Sequence, residues 1–406
     1  MRAGRQQISF TRVLVGGLPF LAACASSSAG PEDAGGGPDA WTVGRGGPDA
    51  TVDGSADEDT GSADATVDGA SDENTGSAGA DAEAGSGFVT ASGTNLMLDG
   101  GVFRFIGFDA YGMTGCFNGT AWTTAQLDTY FAGLPANGMT RLWAFKQYGT
   151  AAISSIVTEA ARYNQHLILS LGNDDGNCDP NPTDPNQSGE PLSFYQSGWQ
   201  GSYLAWVNTI VPTFRDNTAV AMWEIANEPG EEATVPEATM QAYLSSTAAA
   251  IKAADPNHLV ETGVSNPASV VDYQQAQSGP DIDVLSFHDY AWDYEAKAVE
   301  SANFTAAQAA AQALGKPFIA GEAGVESGPT CTTDLTQTQR VTYLQSKTND
   351  YFEGLSSNGT MGAPIAGVMF WEYEPVNTYG WNIGESEYDF FAGDPLVSMV
   401  QNYVVP

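Results

Sequence analysis

The chain has 406 residues, 42% of them hydrophobic, and 49 acidic against 14 basic side chains give a formal net charge of −35. That balance excludes a nucleic-acid partner, because phosphate binding needs clustered Lys and Arg. It also disfavours an anionic polysaccharide by charge repulsion, which leaves a neutral ligand and a surface kept soluble by its acids.

Arg2, Arg5 and Arg12 precede an apolar run from Val13 to Ala23, the layout of an export signal and too short to span a bilayer. The run ends in Leu21-Ala22-Ala23-Cys24, which resembles the lipobox of bacterial lipoproteins. The resemblance implies lipidation at Cys24 and an exported protein held to a membrane by its lipid alone, facing periplasm or cell exterior. Residues 1–24 are therefore expected to be a lipoprotein signal peptide. An ordinary cleaved signal is the bland alternative.

From Ala25 to Ser86 the sequence is Ala, Gly, Ser, Asp, Glu and Thr with almost no large apolar side chain, and Asp49 to Ala63 is echoed by Asp64 to Ala78. Such a segment buries too little surface to offset its chain entropy, so residues 25–86 are expected to form a disordered acidic linker. About fourteen acids and one Arg lie in it, so the rest of the chain stays strongly acidic too.

Order is expected from Phe88. The alternation from Phe88-Val89 to Leu96–Phe105 around Asp99-Gly100 predicts a short β-hairpin. Apolar strand-like runs follow at Phe105–Asp109, Thr140–Ala144, Leu167–Leu171, Ala219–Ala226, Leu259–Thr262, Val284–Phe287, Phe318–Ala320 and Ala366–Phe370. Between them Ala125–Leu134, Ala151–Tyr163, Tyr203–Phe214, Ala238–Ala253, Ala306–Leu314 and Thr338–Leu355 read as helices. Strands apolar on both faces and alternating with helices predict a parallel sheet, and eight such units fit an α/β fold of the (β/α)8 TIM-barrel type over residues 87–406. The segment Ile106–Gly112 is not the Gly-rich phosphate turn that a doubly wound fold would show.

Besides Cys24, the chain has Cys116, Cys178 and Cys331, which permits one bridge with one thiol left over. In a barrel Cys178 and Cys331 would follow strands on nearly opposite sides, which favours Cys116 as one member of the pair. No cysteine spacing suits a zinc site. Asn173-Asp174-Asp175-Gly176-Asn177 lacks the closing Glu of a helix-loop-helix calcium loop, so no metal and no cofactor is expected.

A barrel of this kind works at the C-terminal ends of its strands. There the chain places Arg141, Asn227, Glu228, His288, Tyr290, Glu322 and Trp371. Each alone has a bland reading: an Arg paired with a carboxylate, a turn at Asn227-Glu228-Pro229, a structural histidine, a core tryptophan. Together they put two carboxylates on two strand ends, which is what a retaining glycosidase needs. Trp292, Tyr294, Tyr379 and Trp381 lie just beyond strand ends, where aromatic rings can stack on sugars.

With Thr140-Arg141-Leu142-Trp143-Ala144-Phe145, Asn227-Glu228-Pro229, His288-Asp289-Tyr290, Gly321-Glu322-Ala323-Gly324 and Met369-Phe370-Trp371-Glu372, the chain resembles glycoside hydrolase family 5 from Phe88 onward. The opening hairpin and Leu142–Phe145 are most like its β-mannanase branch. The resemblance implies Glu228 as acid/base and Glu322 as nucleophile, with Glu322 kept ionised by Arg141 and Tyr290. It implies that Asn227 holds the sugar 2-hydroxyl, that His288 orients the site, and that Trp371 forms the floor under the reacting sugar. Many cellulase members carry a His where this chain has Asn173, and the family's Asn-rich end of the first strand reads Asp109-Ala110-Tyr111 here. Both departures touch substrate subsites.

The expected function is a retaining, endo-acting β-glycanase on a neutral β-linked polysaccharide, foremost an endo-β-1,4-mannanase acting as a monomer. A β-1,4-endoglucanase or other β-glucan hydrolase is the nearest alternative. A non-catalytic glycan-binding surface lipoprotein is the alternative from another class.

Overall fold

Eight strands buried along their whole length form one sheet, as strands covered on both faces must. They are β1 (Phe105–Asp109), β2 (Met139–Trp143), β3 (His166–Ser170), β4 (Val220–Glu224), β5 (Leu259–Glu261), β6 (Leu285–Asp289), β7 (Phe318–Ala323) and β8 (Gly367–Phe370). The structure is a computed structural model and describes residues 87–116, 120–174, 190–230, 235–266, 272–290, 302–325, 327, 335–355, 361–374 and 388–406.

Neighbours run β5-β4-β3-β2-β1-β8-β7-β6, and every adjacent pair is parallel. A bridge between Glu261 and Val284, with Asp283 N–H donating to Val260 C=O at 2.8 Å, joins β5 to β6 and closes the ring. The fold is a (β/α)8 TIM barrel.

The outer layer contains α1 (Thr124–Ala132), α2 (Gly149–Arg162), α3 (Ser202–Phe214), α4 (Glu237–Ala254), α5 (Ala302–Leu314) and α6 (Gln337–Glu353), each within a residue to four of its expected start. Thr123 with Gln126 and Thr336 with Gln339 form capping boxes that start α1 and α6; an N-cap of this kind contributes about 1 kcal/mol. The pattern did not predict the short helices Leu192–Gln196 and Tyr273–Ala276 or the C-terminal α7 (Pro395–Asn402). The first two are too short to show a helical period. The third starts at Pro395, held by an Asp394 cap that also receives Arg340 Nη2 at 2.6 Å.

The expected N-terminal hairpin is instead a three-stranded antiparallel meander, Thr90–Ser92, Asn95–Leu98 and Gly101–Phe103. Gly93 and Gly100, both at positive φ, make its two turns, and only the Asp99-Gly100 turn is signalled by the flanking alternation. Val89, Leu96 and Phe103 from this segment are buried with Phe105, Met139, Ile168, Met222, Leu259, Val284, Ile319 and Met369. The meander thus seals the N-terminal end of the barrel, each buried side chain contributing about 1.5–3 kcal/mol. Among the described residues no helix is long and apolar enough to cross a membrane.

Candidate active site

Side chains alternate along a strand, so residues two apart share a face. Two residues beyond Gly107, Met139, Ile168, Met222 and Leu259 stand Asp109, Arg141, Ser170, Glu224 and Glu261, all buried. A polar layer therefore lies directly above the apolar one. Arg141 is its hub and commits all five of its N–H groups. Nε donates to Glu224 Oε2 at 2.5 Å, and Nη2 to Glu224 Oε1 at 2.8 Å and Asn227 Oδ1 at 2.7 Å. Nη1 donates to Asp109 Oδ1 at 2.9 Å and Glu322 Oε1 at 2.7 Å. Lysine could not replace this planar fork.

One guanidinium cannot neutralise the carboxyls gathered around it. Burial would raise Glu224, but the charge and hydrogen bonds of Arg141, with Glu261 and Ser170, hold it at about 2. Burial pushes Asp109 well above the carboxylate range even though it contacts Arg141, because Glu322 and Glu224 share the same cation. Its contact with Arg141 has the geometry of an ion pair, yet we read Asp109 as the uncharged partner, since burial outweighs its share of the cation. Burial and then Glu224 raise Glu261 in the same direction. Burial would lower Arg141, but Glu224, Asp109 and Glu322 outweigh it and raise Arg141 further.

Glu228 and Glu322 stand above this layer. After β4 the chain bends so that Asn227 N–H donates to Gly172 C=O at 2.8 Å and Glu228 N–H to Gly263 C=O at 3.0 Å. Glu228 has φ +52°, a left-handed conformation unusual for a residue with a Cβ. On β7 the register against β6 slips by one residue between Ala320 and Glu322, so Glu322 comes to pair with His288. Gly321 is the inserted residue, and a Cβ there would lie 2.8 Å from Ser286 Oγ and 3.1 Å from His288 Nε2. The bulge is what turns the Glu322 side chain into the barrel mouth.

His288 Nδ1 lies 2.7 Å from Glu228 Oε1 and 3.4 Å from Glu322 Oε2. The ligand-type atoms of Glu228, His288 and Glu322 lie within 4.8 Å of one another, so this group, among the described residues, has the geometry to hold a metal ion. A cation there would occupy the very oxygens a glycosidase uses, and the two uses exclude each other. Tyr290 O–H donates to Glu322 Oε2 at 2.5 Å. Burial and then the Glu322 charge push this phenol well above its ordinary value, so it remains a donor.

Trp371, at the end of β8, is half-buried and stacks on Tyr111 with centroids 4.8 Å apart and planes 8° from parallel. Trp143 leans on both rings and carries the Arg141 guanidinium over its face at 4.8 Å. Glu322 and Trp371 thus rest on one base, Arg141 over Trp143.

The structure therefore brings together Arg141, Asn227, Glu228, His288, Tyr290, Glu322 and Trp371. Cys116 is disulfide-bonded. Cys24, Cys178, Cys331, Trp292, Tyr294, Tyr379 and Trp381 lie outside the described residues. Asn173 accepts from Asn227 Nδ2 at 3.0 Å and so buttresses the Asn227 amide from β3. Sequence reasoning missed the supporting carboxyls Glu224 and Glu261. A signal was present, since an acidic residue ending an otherwise apolar strand must be paired or uncharged.

A family model described as GH family 5 β-mannosidase-like matches residues 202–399. Mannan endo-1,4-β-mannosidase 8 of Oryza sativa subsp. japonica is 25% identical over 296 residues, covering 58% of this chain and 79% of the relative. A probable mannan endo-1,4-β-mannosidase A of Aspergillus oryzae is 27% identical over 290 residues, covering 59% and 72%. Among solved structures, the endo-1,4-β-mannanase of Rhizomucor miehei superposes with a TM-score of 0.56 at 18% identity over 77% of this chain and 97% of that one. The endo-β-1,4-mannanase of Thermotoga petrophila gives 0.58 at 18% identity over 74% and 76%. At such identity the structural likeness speaks for the barrel alone. With the family and sequence matches, the chain is similar to the β-mannosidase-like members of glycoside hydrolase family 5.

Proposed function

We propose that the protein is a retaining endo-β-1,4-mannanase, with Glu322 as nucleophile and Glu228 as acid/base. The observation that carries this reading is the approach of Glu228 and Glu322 to within 4.8 Å at the ends of β4 and β7, with His288 between them. Retaining enzymes set their carboxyls about 5–5.5 Å apart, and inverting ones about 6.5–9.5 Å to admit a water. The sequence relatives, named as mannan endo-1,4-β-mannosidases, support the substrate.

In this reading Arg141 and Tyr290 each fix one oxygen of Glu322, aiming it at the anomeric carbon of a sugar resting on Trp371. Glu228 gives its proton to the departing glycosidic oxygen, then takes one from the water that releases the glycosyl-enzyme. Asn227 spends one Nδ2 hydrogen on Asn173 and keeps the other for the sugar 2-hydroxyl. Reducing-sugar release from galactomannan, glucomannan, carboxymethylcellulose, xylan and lichenan tests the substrate. The two mannans are expected to give the highest rates. Release from carboxymethylcellulose or lichenan alone would make the protein an endoglucanase, and release from none would make it a glycan binder.

We further propose that this protein works as an exported monomer anchored through lipid on Cys24 and spaced from the membrane by residues 25–86, on the strength of the lipobox-like Leu21–Cys24 and the acidic repeat. Cys24→Ala is expected to move the protein from membrane to soluble fractions with unchanged specific activity. A mutant still in the membrane fraction, or a native protein already fully soluble, rejects the anchor.

A further inference from the structure

We infer that Glu261, as an uncharged carboxyl bridging Glu224 to the Gly263 turn, is a positioning residue for the acid/base Glu228. The inference rests on the glycosidase reading of Glu228 and Glu322 and adds a residue that reading does not use.

Strands β4 and β5 set Glu224 and Glu261 opposite each other in register, both fully buried. Glu224 accepts three hydrogen bonds, which leaves one acceptor position open on Oε2. Its Oε1 accepts from Arg141 Nη2 at 2.8 Å and from Ser170 Oγ at 2.6 Å, and its Oε2 accepts from Arg141 Nε at 2.5 Å. Glu261 Oε2 accepts the Gly263 N–H at 2.7 Å. Glu261 Oε1 is buried, and no other group among the described residues donates to it. Two ionised carboxylates in this position would repel each other, whereas a hydroxyl on Glu261 Oε1 donates to Glu224 and satisfies both groups. The direction in which burial and Glu224 shift Glu261 agrees.

The other end of the bridge reaches the reacting group. Gly263 has φ +72°, and a Cβ there would lie 1.8 Å from the Ala226 C=O, so the β5 turn is pressed against the chain entering Glu228. The Gly263 C=O accepts the Glu228 N–H at 3.0 Å. Glu228 holds a left-handed backbone that needs outside support. His288 fixes its carboxyl tip, and the relay from Glu261 through Gly263 fixes its backbone. The branch through Gly263 reaches the Glu228 backbone directly, whereas Glu322 lies two groups further, behind Glu224 and Arg141, and is also held by Tyr290. Losing Glu261 should therefore misplace the proton donor more than the nucleophile.

The test measures kcat/KM for each variant on a mannooligosaccharide, whose leaving group needs a proton, and on a 2,4-dinitrophenyl β-mannoside, whose leaving group does not. Glu261→Gln supplies an N–H donor and a carbonyl acceptor in place of O–H and C=O, and is expected to keep both activities within about threefold. Glu261→Leu is expected to lose roughly 10²-fold on the oligosaccharide, the low end of what a general acid supplies, and less than about threefold on the activated glycoside. Glu261→Asp keeps the carboxyl but cannot span both partners. It is expected to show the same split at lower amplitude, and it decides the matter if the leucine variant does not fold. Equal losses on both substrates, or a glutamine variant as impaired as the leucine one, overturn the proposal. A wild type inactive on both substrates instead rejects the mannanase reading.

Discussion

Glu322→Ala is expected to lower activity at least ~10⁴-fold on every substrate, because no other group among the described residues stands where it can attack the anomeric carbon. Arg141 and Tyr290 each hold one of its oxygens and would remain in place as an empty cradle. Glu228→Ala should behave differently. On an unactivated mannooligosaccharide it loses about 10²–10⁴-fold, the contribution of a general acid. On an activated aryl mannoside the first step survives and attack by water becomes slow. Azide then replaces the water, restores turnover and leaves as the β-mannosyl azide, because it enters on the face vacated by the aglycone. In Glu322→Ala azide enters from the opposite face and gives the α-mannosyl azide. Near-normal turnover in both mutants, or azide products of the reverse configurations, would reject the assignment.

Thermal stability is expected to peak near pH 4.5–5 and to fall on both sides. Glu374 is buried beside Asp389, and burial first, then the Asp389 charge, push it from its ordinary 4.5 to about 8. Glu372 is raised well above the carboxylate range by burial, with Asp389 and Glu374 adding to it. Between pH 4.5 and about 8 Glu374 in the folded state binds a proton that the unfolded chain has released, so its contribution to stability falls as pH rises through this window and levels off above it. Glu374 alone corresponds to a loss on the order of 4 kcal/mol, or roughly 10 °C in Tm. Glu224 acts in the opposite sense. Its folded value of about 2 contributes stability above pH 4.5 that is lost as pH falls toward 2. The Glu374 carboxyl also presses on the turn that carries Tyr111, since a Cβ on Gly112 would lie 1.9 Å from Glu374 Oε1. Ionisation there should therefore disturb the Tyr111–Trp371 stack as well. Glu374→Gln is expected to flatten the alkaline limb. A Tm that stays level from pH 5 to 8, or a slope the mutant leaves unchanged, contradicts this account.

The barrel and the residues that meet at its mouth are legible in the amino-acid pattern. Eight runs apolar on both faces leave a covered parallel sheet as the way to bury them, and closing that sheet brings all strand ends to one rim. Arg141, Asn227, Glu228, His288, Tyr290, Glu322 and Trp371 were readable because each ends a strand or closely follows one, and a strand end is a local property of sequence. How they are held depends on contacts between strands. The five-way commitment of Arg141, the pairing of Glu224 opposite Glu261, and the support of Asn227 by Asn173 join residues from different strands. Their pairing depends on register, which a single strand does not encode. The bulge at Gly321 shows the same limit. The glycine was visible in the sequence, but the slip that turns Glu322 toward His288 exists only between β7 and β6. The carboxyls of Asp109, Glu261, Glu372 and Glu374 looked like ordinary acids in a strongly acidic chain. Burial raises them all above the ordinary carboxylate range, and burial is a property of the closed barrel.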